Sequence, residues 1–143
     1  MGNSQSIKKI NFEDVQYIIK NPENHIIINT LQESDQDCLL LNTMNIHKEE
    51  EIMNQLIKNG KKQIKIIIYG RNCNDDKLYT KYQQLSSLGF HNVFVYPGGL
   101  FEWFMLQDIY GETDFPTTKK ELDILRFKPS KILNIDLLNN IIK

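Results

Sequence analysis

Apolar residues recur at helical spacing in some stretches of the chain and in short unbroken runs in others, and the two kinds alternate. Residues 10–20, INFEDVQYIIK, put Phe12, Val15, Ile18 and Ile19 on one stripe, with Asn11 placed to cap a helix ahead of Glu13 and Asp14. HIIINT at 25–30 follows the turn NPEN and suits a strand buried on both faces. After the polar loop QESDQD, the stretch CLLLNTMNI predicts a short strand or turn. HKEEEIMNQLIKNG at 47–60 aligns Ile52, Met53, Leu56 and Ile57 and ends at Gly60, as a helix would. QIKIIIYG is the strongest strand signal. Residues 76–88 then carry Leu78, Tyr82, Leu85 and Leu88 to a stop at Gly89, and NVFVYPGG reads as another strand. From Leu100 the stripe Phe101, Phe104, Met105 and Ile109 predicts a helix ending near Gly111. FPTTKKELDILRF reads as an extended tail with one helical turn, and SKILNIDLLNNIIK as an amphipathic helix with Ser130 as its cap.

Strands alternating with helices of this length call for a parallel sheet covered on both faces. Ligands bind such sheets at the carboxyl ends of the strands. The loop leaving Tyr69, GRNCNDD, occupies that position.

The chain's 143 residues suit one domain with its own core. Lys and Arg number 17 against 18 Asp and Glu, so no net field draws nucleic acid. Cys38 and Cys73 stand without CxxC or Cys/His ligand spacing and without a signal peptide ahead of them, which predicts free thiols, Cys38 in the core, in a cytoplasmic chain. His25, His47 and His91 are scattered, so neither a metal site nor a cofactor is expected. No run is long enough to cross a bilayer. The opening MGNSQS matches the pattern for acylation of Gly2, and membrane association is expected only if that lipid is attached.

The helix INFEDVQYII, the strand HIIINT, the phrase NTMNI, the strand end IIIYG, and above all LGFHNVFVYPGGLFEW at 88–103 resemble a rhodanese-like domain. The resemblance covers about residues 10–111, leaving 1–9 as an N-terminal segment and 112–143 as a C-terminal extension. It implies a single α/β domain with a central five-stranded parallel sheet, helices on both faces, and an anion-cradling loop after the fourth strand. In active members a cysteine in that loop carries a persulfide from a donor such as thiosulfate to an acceptor. Here the usual cysteine position after IIIY is Gly70, and Cys73 arrives three residues later. The usual Asp-x-Arg after the second strand is replaced by Asn29 and Leu31.

A sulfur carrier needs a thiolate, which free backbone N–H groups at a helix N-terminus favour. Cys73 is the catalytic candidate; Gly70, Arg71, Asn72, Asn74, Asp75 and Asp76 form the anion-binding candidates around it. Arg71 offers a cation to a sulfur anion, while Asp75 and Asp76 oppose both that anion and ionisation of the thiol, and take up helix donors. An Arg six residues after the cysteine, as phosphate chemistry wants, is absent: that position is Tyr79. Gly98 and Gly99 read as a tight strand-to-helix turn, Trp103 as core, and Tyr69 as a buried tyrosine or a ring beneath the loop. Three readings of function follow: a degenerate member that serves binding or regulation, a sulfurtransferase using Cys73, or an adaptor tethered to a membrane by a lipid on Gly2, with residues 112–143 contacting a partner.

Overall fold

The computed structural model describes residues 6–133, so Gly2 and most of the amphipathic stretch that follows Ser130 lie outside the described residues. Along the chain come α1 (Phe12–Lys20), β1 (His25–Asn29), a 3-10 turn (Glu33–Asp35), α2 (Glu49–Lys58), β2 (Lys65–Tyr69), α3 (Lys77–Ser87), β3 (Asn92–Tyr96) and α4 (Gly99–Tyr110). α1 begins where its cap predicts: Asn11 accepts the Asp14 N–H while Asp14 accepts the Asn11 N–H, a reciprocal pair that satisfies two otherwise open donors.

The strands pair in the order β1-β2-β3, all parallel, with Ile27 opposite Ile67 and Ile67 opposite Phe94. Successive side chains of a strand point to opposite faces, and here both faces are covered. Ile66 and Ile68 pack with Met53 of α2 and Leu78 and Leu85 of α3. Ile67 and Tyr69 pack on the other side with Val15 of α1 and Leu100, Trp103 and Phe104 of α4.

The expected five strands are three among the described residues. Two further segments lie alongside in parallel, each held by a single bridge: Lys9 beside Val95 of β3, and Thr43 beside Ile27 of β1. Neither has room to extend. The Asn11 cap turns the chain into α1 directly after Ile10, and Asn42 adopts a left-handed conformation immediately before Thr43. Stripe readings also shift in detail. Leu88 is exposed where α3 ends, and α4, apolar nearly all round, buries Leu100, Trp103, Phe104 and Gln107 while Ile109 faces outward.

The extension after α4 winds through hydrogen-bonded turns at 123–128, with the Arg126 N–H donating to the Asp123 carbonyl and the Lys128 N–H to that of Leu125, and carries two aromatic pegs. Phe115 packs edge-on against Trp103 at 5.0 Å between ring centres, and Phe127 stacks on Phe104 at 5.8 Å. Both pegs are buried, and an antiparallel bridge from Thr117 to Leu40 lies between them.

Candidate functional site

β2 delivers the chain to its carboxyl edge at Tyr69, whose ring is fully buried and turned away from the loop. Its hydroxyl accepts the Leu40 N–H at 3.1 Å and lies 2.8 Å from Thr43 Oγ1, which itself reaches the Leu40 carbonyl at 2.6 Å. Proton bookkeeping closes a ring: Leu40 N–H to Tyr69, Tyr69 O–H to Thr43, Thr43 O–H to the Leu40 carbonyl. Burial pushes the Tyr69 phenol well above its usual range, keeping it a neutral donor.

Gly70 opens the loop, and two things hold its backbone. From below, the first N–H groups of α4 donate to it, Leu100 to the Gly70 carbonyl at 3.0 Å and Phe101 to that of Arg71 at 2.9 Å. This close approach needs Gly99, which has φ +63° and whose missing β-carbon would come within 2.6 Å of the Gly70 oxygen. From within, Asp75 turns its carboxylate inward. Oδ2 accepts the Arg71 N–H at 3.2 Å and the Thr30 hydroxyl at 3.0 Å, and Oδ1 accepts the Lys77 N–H at 3.0 Å. A β-carbon on Gly70 would overlap that Oδ2.

The remaining candidates are dispersed around this anion. Asn72 is buried, its Oδ1 accepting the Asn74 N–H at 2.9 Å and its Nδ2 donating to the Phe127 carbonyl at 2.9 Å. Asp76 is exposed at the start of α3 and makes no side-chain capping bond. Cys73 is exposed, its sulfur 3.7 Å from Asn74 Oδ1. The Arg71 side chain is 35% exposed but its guanidinium is engaged: it donates to Asp35 at 2.8 Å and to the Arg126 carbonyl at 3.1 Å, over the Phe127 ring at 5.0 Å.

Arg126 completes a charged cluster beside Arg71. Its guanidinium meets Asp35 at 3.2 Å, Asp37 at 3.0 Å and Glu121 at 2.6 Å. Hydrogen bonding to Arg126 pulls Asp37 down from its ordinary 3.8 to about 2, lowers Glu121 as well, and raises Arg126 further. Cys38 lies buried next to this cluster, its thiol pushed up by desolvation and by the Asp37 charge.

A cleft of about 530 Å³ lies at the loop, lined by Thr30, Leu31, Asn74, Asp75, Lys77 and Lys128 among others. A larger one, about 850 Å³, lies at the opposite, amino ends of β1 and β2 near Lys20, His25, Lys61 and Lys65. Ligands of parallel sheets bind at the carboxyl ends of the strands, and the smaller cleft lies at that end.

A sequence profile of the rhodanese-like domain matches residues 13–106. The chain belongs to the rhodanese-like family. Solved structures similar to it include the rhodanese-like domain of the Alr3790 protein from Anabaena, at 21% identity and TM-score 0.55 over 89% of this chain and 88% of that one. The BH2092 protein from Bacillus halodurans is 19% identical, with TM-score 0.57 over 73% and 74% of the two chains. The single-domain sulfurtransferase RDL2 of Saccharomyces cerevisiae is 16% identical, with TM-score 0.51 over 76% and 98%. At these identities the likeness concerns the fold. No curated protein matches the sequence.

Four residues around the loop of this rhodanese-like domain escape a reading of the sequence: Thr30 and Asp35 of the domain itself, and Arg126 and Phe127 of the extension. Thr30 and Asp35 stand in the segments following β1, where only the position at a strand's carboxyl end marks them. Arg126 and Phe127 belong to a tail whose pattern is neither helical nor alternating, and only the unusual LRF triplet in a polar stretch signals a peg.

Proposed function

We propose that this rhodanese-like domain does not transfer sulfur and acts as a binding module. The observation that carries the reading is the Asp75 carboxylate, a tethered anion bonded to the Arg71 and Lys77 amides beside Gly70. A thiosulfate dianion or a persulfide needs such donors free. Two like charges about 4 Å apart repel by about 4 kcal/mol at an effective dielectric of 20, roughly a thousandfold in an equilibrium constant. The nearest guanidinium, on Arg71, is spent on Asp35.

A second reading rests on Cys73, exposed two residues after Arg71. Its thiolate would attack the sulfane sulfur of thiosulfate, forming a persulfide and releasing sulfite; an acceptor nucleophile then takes that sulfur and restores the thiolate. Incubation with thiosulfate and cyanide, read as thiocyanate, separates the two. We expect wild-type chain and Cys73→Ser to be equally inactive, with intact mass showing no added sulfur. Turnover that vanishes in Cys73→Ser would establish the second reading instead.

A further inference from the structure

The segment at Arg126 and Phe127 treats the loop as a bound peptide would. Two consecutive carbonyls of that segment accept hydrogen bonds from the domain, Arg126 from Arg71 at 3.1 Å and Phe127 from Asn72 Nδ2 at 2.9 Å. The Phe127 ring is buried to 1% exposure and stacks on Phe104 with 13° between planes. The Arg126 guanidinium then reaches two carboxylates of the domain, Asp35 and Asp37. Side-chain donors for carbonyls, an aromatic floor and paired acids for a guanidinium are the elements by which domains read short peptides.

The division of these groups along the chain is informative. Every residue on the receiving side, Asp35, Asp37, Arg71, Asn72 and Phe104, falls inside the stretch matched by the family profile, residues 13–106. Arg126 and Phe127 fall outside it. The domain therefore presents a receptor, and the extension supplies its occupant. A tether places such an occupant at an effective concentration near millimolar, so an outside peptide competes only when the internal one is loosened.

We propose that the mouth of the loop is a receptor for a peptide bearing an arginine–aromatic pair, occupied in cis by Arg126–Phe127, and that a partner protein presenting such a pair takes the same place in trans. The proposal rests on the binding-module reading and gives that module its ligand chemistry. Asp35 has a double role in it: it bonds the incoming guanidinium and holds Arg71 aimed at the peptide carbonyl.

The test uses the full chain and a fluorescent peptide of its own residues 119–130, KKELDILRFKPS, followed by anisotropy. Arg126→Ala loosens the internal segment and leaves the receptor intact, so we expect it to bind the peptide at least tenfold tighter than wild type. Glu121→Gln, which removes a partner of Arg126 from the internal segment alone, is expected to give a smaller gain in the same direction and serves if Arg126→Ala does not fold. Adding Asp35→Asn to Arg126→Ala should lose at least tenfold, and a peptide with alanine at both Arg126 and Phe127 should not bind. Leu122→Ser, at an 84% exposed position of the same segment, should match wild type. Equal binding by wild type and both loosened chains, or equal binding of the alanine peptide, overturns the proposal. A wild-type dimer that dissociates in Arg126→Ala would give the receptor to a second copy and overturn it too. Sulfur transfer in the thiosulfate assay would defeat the inactive loop without changing anisotropy, whereas absent peptide binding would leave that loop standing.

Discussion

Asp75 stands in the space that a side chain on Gly70 would need. A β-carbon at Gly70 would overlap Asp75 Oδ2 and come within 2.7 Å of Thr30 Oγ1, the two atoms that hydrogen-bond each other at 3.0 Å. The residue at the end of β2 and the carboxylate five positions later are therefore alternatives for one volume. A cysteine at position 70 and this carboxylate pose are mutually exclusive.

That exclusion predicts a rescue. Gly70→Cys alone must push the carboxylate out of its three hydrogen bonds, and we expect it to destabilise the chain by about 1–3 kcal/mol, as overpacking does. Combining it with Asp75→Gly vacates the space and the donors. The double variant should recover part of that loss and take up sulfur from thiosulfate, seen by intact mass, where the single variant takes up none.

Asp75→Ala probes the same carboxylate from the other side. It leaves the Arg71 and Lys77 amides without their acceptor and the Thr30 hydroxyl with only the Tyr69 carbonyl at 3.4 Å. Bonds to a charged group contribute about 1.5–3 kcal/mol each but are not additive here, and solvent reaches part of the site, so we expect a total loss of about 2–3 kcal/mol in urea unfolding. A change under about 0.5 kcal/mol would show that the carboxylate merely rests in the loop.

Tyr69→Phe should cost about 1–3 kcal/mol, because the Leu40 N–H it serves is buried and would lose its acceptor. Thr43→Val, removing another member of the same ring, should give a double-mutant cycle with coupling well above zero.

The clasp around Arg126 carries a pH dependence of definite sign. Asp37 has a folded value of about 2 against an ordinary 3.8, and Glu121 is lowered too. A depressed acid stabilises the fold above its unfolded value and loses that contribution as pH falls through the folded one. The clasp is therefore intact above about pH 4 and weakens between about 4 and 2, modestly because Asp37 is partly exposed. The protection factor of the Lys128 amide, which donates to the Leu125 carbonyl at 3.0 Å, with exchange divided by the intrinsic rate at each pH, should fall across that window in wild type and stay flat in Arg126→Ala.

Much of this architecture is legible before any coordinates. The α1 cap follows from Asn11 and Asp14, β1 and β2 from their isoleucine runs, and the location of the loop from what precedes and follows it. What escapes is set by contacts between distant residues. Whether Lys9 or Thr43 extends into a strand depends on neighbouring turns at Asn11 and Asn42, which a strand pattern does not report. Aspartates at 75 and 76 look alike in sequence, yet one folds inward because Thr30, 45 residues away, offers it a hydroxyl. Phe127 reads as a tail residue because its partner ring, Phe104, belongs to a helix that is apolar on nearly every side.

The order of synthesis gives the Arg71–Arg126 contact a temporal side. Some 55 residues separate the two, and at about 5–20 residues per second a ribosome needs several seconds to cross them. During that interval the nascent domain displays Phe104, and an Arg71 that has only Asp35 for a partner, to whatever chaperone or neighbour is at hand, and only the later arrival of Phe127 covers them.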